Sequence, residues 1–209
     1  MTLPIALATL CAAAYLVLTT QAPSLTRSVI KTAAVALLAA FVWMAGGPPL
    51  LTVALALCAL GDWLLSRETD QGFMAGVGAF AGGHLAYSAL FLTQPQADPG
   101  RITSAPGLWV AAALATAGLV VAWILARRAG PLRGPVLAYI PIIIGMGISA
   151  LALPFVAPLA AALAFIASDL ILAAEKFLLP DRHPARRATA HAVWLLYWGA
   201  QAGFVAAFT

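Results

Sequence analysis

Asp62, His84 and Tyr87 fall within two successive apolar runs joined by the charged turn Arg67, Glu68 and Asp70, and Asp169, His191, Tyr197 and Gln201 fall within a second such pair. A carboxylate or an imidazole in a lipid-spanning helix is costly unless it faces an interior cavity, so each marks a candidate functional site. The chemistry open to such groups is proton transfer and stabilisation of a developing cation. Asp62 to His84 is 22 residues and Asp169 to His191 is also 22, and each aspartate follows a small residue and precedes an apolar triplet. That spacing fits either a parallel four-helix repeat, with halves at 1–92 and 107–209, or coincidence.

The elements that must position these groups are membrane helices. Of the 209 residues, 63% are apolar and 9% charged, and the mean hydropathy of +0.98 lies outside the range of soluble domains of this length. Eight apolar runs predict eight spans: Leu3 to Thr20, Ser28 to Ala45, Pro49 to Ser66, Gly72 to Leu92, Gly107 to Ala126, Pro135 to Leu153, Phe155 to Ala174 and Ala188 to Phe208. The expectation is an all-α, polytopic membrane protein forming one domain, with no loop long enough for a soluble unit. The first run lacks a basic flank and leads into a second after a short turn, so it reads as a retained helix rather than a signal peptide. Cys11 and Cys58, both inside apolar runs, read as small buried hydrophobes.

The net charge of +4 is set by topology rather than gathered in a nucleic-acid-binding patch. Arg27, Lys31, Arg67, Arg127, Arg128, Arg133, Lys176, Arg182, Arg186 and Arg187 all fall at one side, and only Arg101 at the other. The excess of positive charge on cytoplasmic loops then puts both termini outside, in a bacterial inner or plasma membrane. On this topology Asp62 lies about 7 Å inside the cytoplasmic end of its helix, at 1.5 Å per residue, and Asp169 lies at nearly the same depth.

Phe73, Gly76, Phe80, His84 and Tyr87 recur at intervals of three and four and share one helical face. Gly78 and Gly82 give a small-xxx-small pattern expected at a helix contact. Lys31, one turn past Arg27, either snorkels to the headgroups or turns inward toward an anion or a carboxylate. Tyr139, close to the cytoplasmic end of its span, suits an interfacial belt or the lining of a site, and His191 lies near the basic loop. Tyr15, the notable polar tip of the first span, reads as packing or lipid contact. Ser168 is no esterase nucleophile, since it adjoins Asp169 on a helix and no nucleophile elbow is present.

Lys31, Asp62, His84, Tyr87, Tyr139, Ser168, Asp169, His191, Tyr197 and Gln201 all map to the cytoplasmic half or the midplane. A one-sided pocket of this kind suits an enzyme acting on a lipid. The alternative is a small proton-coupled transporter or a lipid-binding membrane protein; a transporter would string polar groups across the full thickness and break its helices.

The same residues carry a resemblance to the YhhN family of transmembrane lysoplasmalogenases. The matching motifs run in order: Lys31; Gly61-Asp62 with Leu65; Phe73, Gly76, Phe80, His84 and Tyr87; Pro135 with Tyr139 and Met146; Ser168-Asp169 with Leu172 and Phe177; and Tyr197 with Ala200-Gln201. Thr32 departs from the pattern, which often has proline after the lysine. The resemblance spans about Lys31 to the C-terminus. It implies hydrolysis of the vinyl ether bond of lysoplasmalogens to a fatty aldehyde and a glycerophospho-base, with a lysophospholipid as substrate and no metal or organic cofactor.

Vinyl ethers are cleaved by protonation of the β-carbon, capture of the oxocarbenium ion by water and collapse of the hemiacetal. Two carboxyls in a low-dielectric pocket can divide this work, one keeping its proton while the other stays ionised. Asp62 and Asp169 are the expected pair, in either order. His84 is expected to shuttle the proton or orient a carboxylate, or else to serve as a hydrogen-bonded histidine between helices. Lys31 is expected to meet the substrate phosphate, and Tyr87, Tyr139, Ser168, Tyr197 and Gln201 to orient or contact the substrate.

Overall fold

The computed structural model describes residues 2–67, 69–180 and 182–209, so Glu68, assigned by its sequence to the charged turn, lies outside the described residues. These residues form helices α1 (Thr2–Leu18), α2 (Leu25–Met44), α3 (Pro49–Leu65), α4 (Asp70–Leu92), the short α5 (Gly100–Thr103), α6 (Gly107–Leu125), α7 (Arg133–Ser149), α8 (Val156–Phe177) and α9 (Arg186–Phe208), with no strand among them. Of these, α2, α4, α6, α8 and the helical stretch Gly130–Ala152 around α7 are long and apolar enough to cross a membrane, while α1 and α3 are shorter apolar helices.

Local chemistry sets the helix ends. Ser24 accepts the Arg27 amide at the start of α2 and Thr69 accepts the Gly72 amide at the start of α4, each satisfying one amide that the first turn leaves free. At the end of α2, Gly46 adopts φ +68°, which lets the Gly46 and Gly47 amides fold back onto the carbonyls of Trp43 and Val42. Pro49 then opens α3 at a position where no amide hydrogen is needed. Pro141 lies inside α7 without ending it. In the polar connection after α4, the Asp98 amide donates to the carbonyl of Ala152 at 2.9 Å, tying the connection to the end of α7.

Sequential neighbours pack as antiparallel pairs, α1 with α2, α2 with α3, α3 with α4, α6 with α7 and α8 with α9. Two long-range contacts matter more for the site: α4 packs on α7, and α9 packs on α1, α2 and α3 as well as α8. These bring the chain's last helix and its second half against Asp62 and His84. The close approach of α3 and α4 depends on glycine. A Cβ on Gly61 would stand 2.6 Å from the Phe80 ring, and one on Gly83 would stand 2.9 Å from the Cys58 sulfur.

Of the small-xxx-small pair expected at a contact, Gly82 meets α3, where its Cβ would stand 3.3 Å from Leu57, while a Cβ on Gly78 would meet nothing. Gly76 and Gly83 also face α3, Gly76 against Leu65. Large apolar side chains stay exposed around the bundle, including Leu10, Val17, Trp43, Trp109, Leu119, Trp123, Val156 and Leu195. That is the surface of a protein whose solvent is lipid.

Candidate functional site

On α3, Leu55, Cys58 and Asp62 follow one another at intervals of three and four on the buried face, so the packing that buries the leucine also delivers the carboxylate. Asp62 is 1% exposed. Its Oδ1 lies 2.9 Å from the Lys31 ammonium, and its Oδ2 accepts from the Tyr197 hydroxyl at 2.7 Å. Lys31 has therefore turned inward. The pair meets the requirement that a buried carboxylate be matched by charge and by hydrogen bonds.

Asp169, on α8, belongs to a second arm. The Tyr139 hydroxyl donates to its Oδ2, and His84 Nε2 lies 2.7 Å from the same hydroxyl and 4.0 Å from the carboxylate. His84, Tyr139 and Asp169 thus form a chain in which the tyrosine oxygen is the middle link. With Tyr139 donating to a carboxylate, its oxygen accepts from an Nε2–H of His84, and the buried Nδ1 has no partner. If His84 carries a proton on both ring nitrogens, reversing every bond moves one proton onto Asp169 and leaves a neutral His84 with Nε2 as the acceptor, so the chain can hold that proton at either end. His84 is fully buried, with its ring edge-on to Phe165 at 4.6 Å between centroids.

The two arms face one cavity of about 360 Å³, within the range of ligand sites. Asp62, Asp169, Lys31, Tyr139, Tyr197 and Ser168 line it. Tyr15, Thr19, Arg27, Glu175 and Lys176 also line it, and the rest of the lining is largely apolar, with Leu114, Val121, Ile140, Ile143, Ile144 and Ile166 among it. The Ser168 hydroxyl donates to the Val193 carbonyl at 3.1 Å, fastening α8 to α9. His84 stands behind Tyr139 rather than in the wall. Tyr87 and Gln201 lie elsewhere: the tyrosine hydroxyl donates to the glutamine side chain, and Tyr87 packs against Phe204 and Phe91 away from the cavity.

The matched 22-residue spacings do not give matched histidines, since His191 is only half-buried, does not line the cavity and sits 2.6 Å from the Arg187 carbonyl one turn before it. Tyr15, Arg27 and Trp194 are among the lining residues that had no functional reading in the sequence. Tyr15 is buried rather than lipid-facing, with its ring 4.4 Å from that of Trp194, and Arg27 reaches the Tyr15 hydroxyl. Trp194 could have been found three residues before Tyr197 on the same face; Tyr15 had no such signal, because its partners lie on other helices.

The family model described as the YhhN family matches residues 26–208. The chain belongs to the YhhN family, the lysoplasmalogenase family. Every lining residue named above except Tyr15 and Thr19 lies inside the matched YhhN segment, so the chain around the end of α1 contributes to the lining from outside it. No curated protein and no solved structure matches the chain.

Proposed function

We propose that this YhhN protein hydrolyses the vinyl ether bond of lysoplasmalogens, such as lysoplasmenylcholine and lysoplasmenylethanolamine, to a fatty aldehyde and the glycerophospho-base. The observation that carries the reading is that two aspartates, each in a different hydrogen-bonding environment, line one cavity that also holds Arg27, Lys31 and Lys176 and is otherwise largely apolar. An amphiphile with an anionic head and a single chain suits that lining. In this reading all eight long helices span, both termini face outward, and the cavity opens to the cytoplasmic side of a bacterial inner or plasma membrane.

The partners support one division of labour. The Lys31 ammonium 2.9 Å from Asp62 suits Asp62 to be the carboxylate that stabilises the oxocarbenium ion and takes a proton from water. Asp169, joined through Tyr139 to His84, is the proton donor. It gives its proton to the β-carbon of the alkenyl group, leaving an oxocarbenium ion at the carbon bonded to oxygen. Water adds there as Asp62 takes one of its protons, and the hemiacetal then breaks its bond to the glyceryl oxygen, its own hydroxyl proton passing to that oxygen as the carbonyl forms. The product is the aldehyde, and the proton gained by Asp62 balances the one Asp169 lost.

Purified protein in EDTA is expected to release aldehyde and glycerophospho-base in equal amounts from alkenyl lysophospholipids, and none from the ester-linked analogue. Absence of aldehyde from both alkenyl substrates would contradict the reading and favour transport.

A further inference from the structure

The cavity lining contains a cation without an anion. The Arg27 guanidinium donates to the backbone carbonyls of Gln21 at 3.1 Å and Thr19 at 2.9 Å, and to the Tyr15 hydroxyl at 3.4 Å. All three acceptors are neutral, its buried Nε has no partner, and the ion pairs among the described residues include none to Arg27. Lys31, one turn further along α2, is already committed to Asp62. Asp169, Glu175 and Lys176 also line the larger cavity, but beside Arg27 the lining carries only Arg27 and the Lys31 already paired with Asp62, and no free carboxylate, so that point suits a compensating anion.

A second cavity of about 100 Å³ adjoins this point, lined by Tyr15, Pro23, Arg27, Ser28, Lys31 and Ser66. It shares Tyr15, Arg27 and Lys31 with the larger cavity. Arg27 and Lys31 are separated by one helical turn, about 6 Å along the axis, comparable with the reach of a three-carbon glycerol from its first oxygen to a phosphorus on its third. Guanidinium is also the side chain whose fork suits phosphate oxygens.

We propose that Arg27, with the smaller cavity beside it, binds the phosphodiester of the lysophospholipid. The single negative charge of that group compensates Arg27 and places the vinyl ether beside Asp62 and Asp169. This rests on the lysophospholipid reading above and deepens it, because it makes the phosphate, rather than the chain alone, the feature that sets substrate register. Lys31 then serves Asp62, and Arg27 serves the substrate.

Binding separates this from the reaction. The probes are a saturated 1-O-alkyl lysophosphocholine, which cannot be hydrolysed, and the matching 1-O-alkylglycerol, which lacks phosphate. Tryptophan fluorescence reports on both, since Trp194 lines the larger cavity. Wild type is expected to bind the phosphate-bearing probe at least about tenfold more tightly, as hydrogen bonds to charged groups imply. Arg27→Gln is expected to remove most of that preference while leaving alkylglycerol affinity in place, and Arg27→Lys to retain part of it. A purely structural Arg27 would weaken both probes together, which would overturn the proposal. So would a wild type without preference, or a preference undiminished in Arg27→Gln. Should Arg27→Gln not fold, the wild-type preference and its partial retention in Arg27→Lys remain the deciding results. Failure of wild type to release aldehyde would count against the hydrolase reading and leave this binding comparison to be judged on its own.

Discussion

Lys31 and Tyr139 each join an aspartate to something else, and they should fail in different ways. Removing Lys31 leaves Asp62 buried beside only a tyrosine hydroxyl. Lys31→Met is therefore expected to destabilise the protein by about 3–5 kcal/mol, the usual cost of breaking a buried pair by deleting one partner. The double variant Lys31→Met with Asp62→Asn removes both charges and should recover most of that stability in thermal unfolding without recovering activity. A double variant as unstable as the single one would show that the pair is not what holds Lys31 inward. Tyr139→Phe severs the chain between His84 and Asp169 with little change of shape. Its kcat for aldehyde release is expected to fall by about 10²-fold, the lower range for acid–base catalysis, with melting temperature nearly unchanged; a kcat equal to wild type would take His84 out of the proton path.

Among the elements, the α3–α4 pair and α6 do distinct work. Gly61 admits the Phe80 ring, which packs edge-on against Phe165 and Tyr197 at 6.2 and 5.8 Å, so it indirectly fixes the tyrosine that bonds Asp62. Gly61→Ala is expected to cost about 1–3 kcal/mol through overpacking and to lower activity, whereas Gly78→Ala, which meets nothing, should be silent in both. Equal effects at the two positions would show that this contact does not matter. The sequence could show that small residues recur on α4. It could not show which of them face protein rather than lipid, because both environments accept glycine and both are apolar. Helix α6 lines the apolar limb with Leu114, Ala117 and Val121 and packs on α7 and α5. Ala117 on α6 and Leu170 on α8 are accessible and line the cavity, so the proposed reading runs the alkenyl chain along these two helices. Ala117→Trp should raise KM for long-chain alkenyl substrates severalfold while sparing short, water-soluble vinyl ethers, measured as a chain-length series; an unshifted series would place the chain elsewhere.

At the scale of the molecule, lipid made the helices legible and hid their neighbours. A long apolar run can only be a helix in a bilayer, which is why the eight expected runs lie within a few residues of α1–α4 and α6–α9 and why the clustering of polar residues toward one end pointed to one site. What no single run contains is its partner. Tyr197 reaches Asp62 across 135 positions and His84 reaches Tyr139 across 55, and both contacts follow from how α9 and α7 pack. Periodicity therefore found Asp62 and Asp169, but not that each has its own tyrosine, that Tyr87 and Gln201 satisfy each other, or that Tyr15 lines the cavity. The orientation proposed here predicts that a cysteine placed at Asp98 reacts with an impermeant thiol reagent in intact cells, whereas one at Arg128 reacts only after the membrane is opened. The reverse pattern would place the catalytic end on the outer face.

The central claim is that two carboxyl groups share the hydrolysis, and the rate of aldehyde release from lysoplasmenylcholine by Asp62→Asn and Asp169→Asn, compared with wild type, tests it most directly. Each variant, eluting as a folded protein of unchanged size, is expected to lose at least about 10²-fold in kcat, as removal of an acid or base does. Turnover within a few-fold of wild type in either one would remove that aspartate from the mechanism and contradict the account.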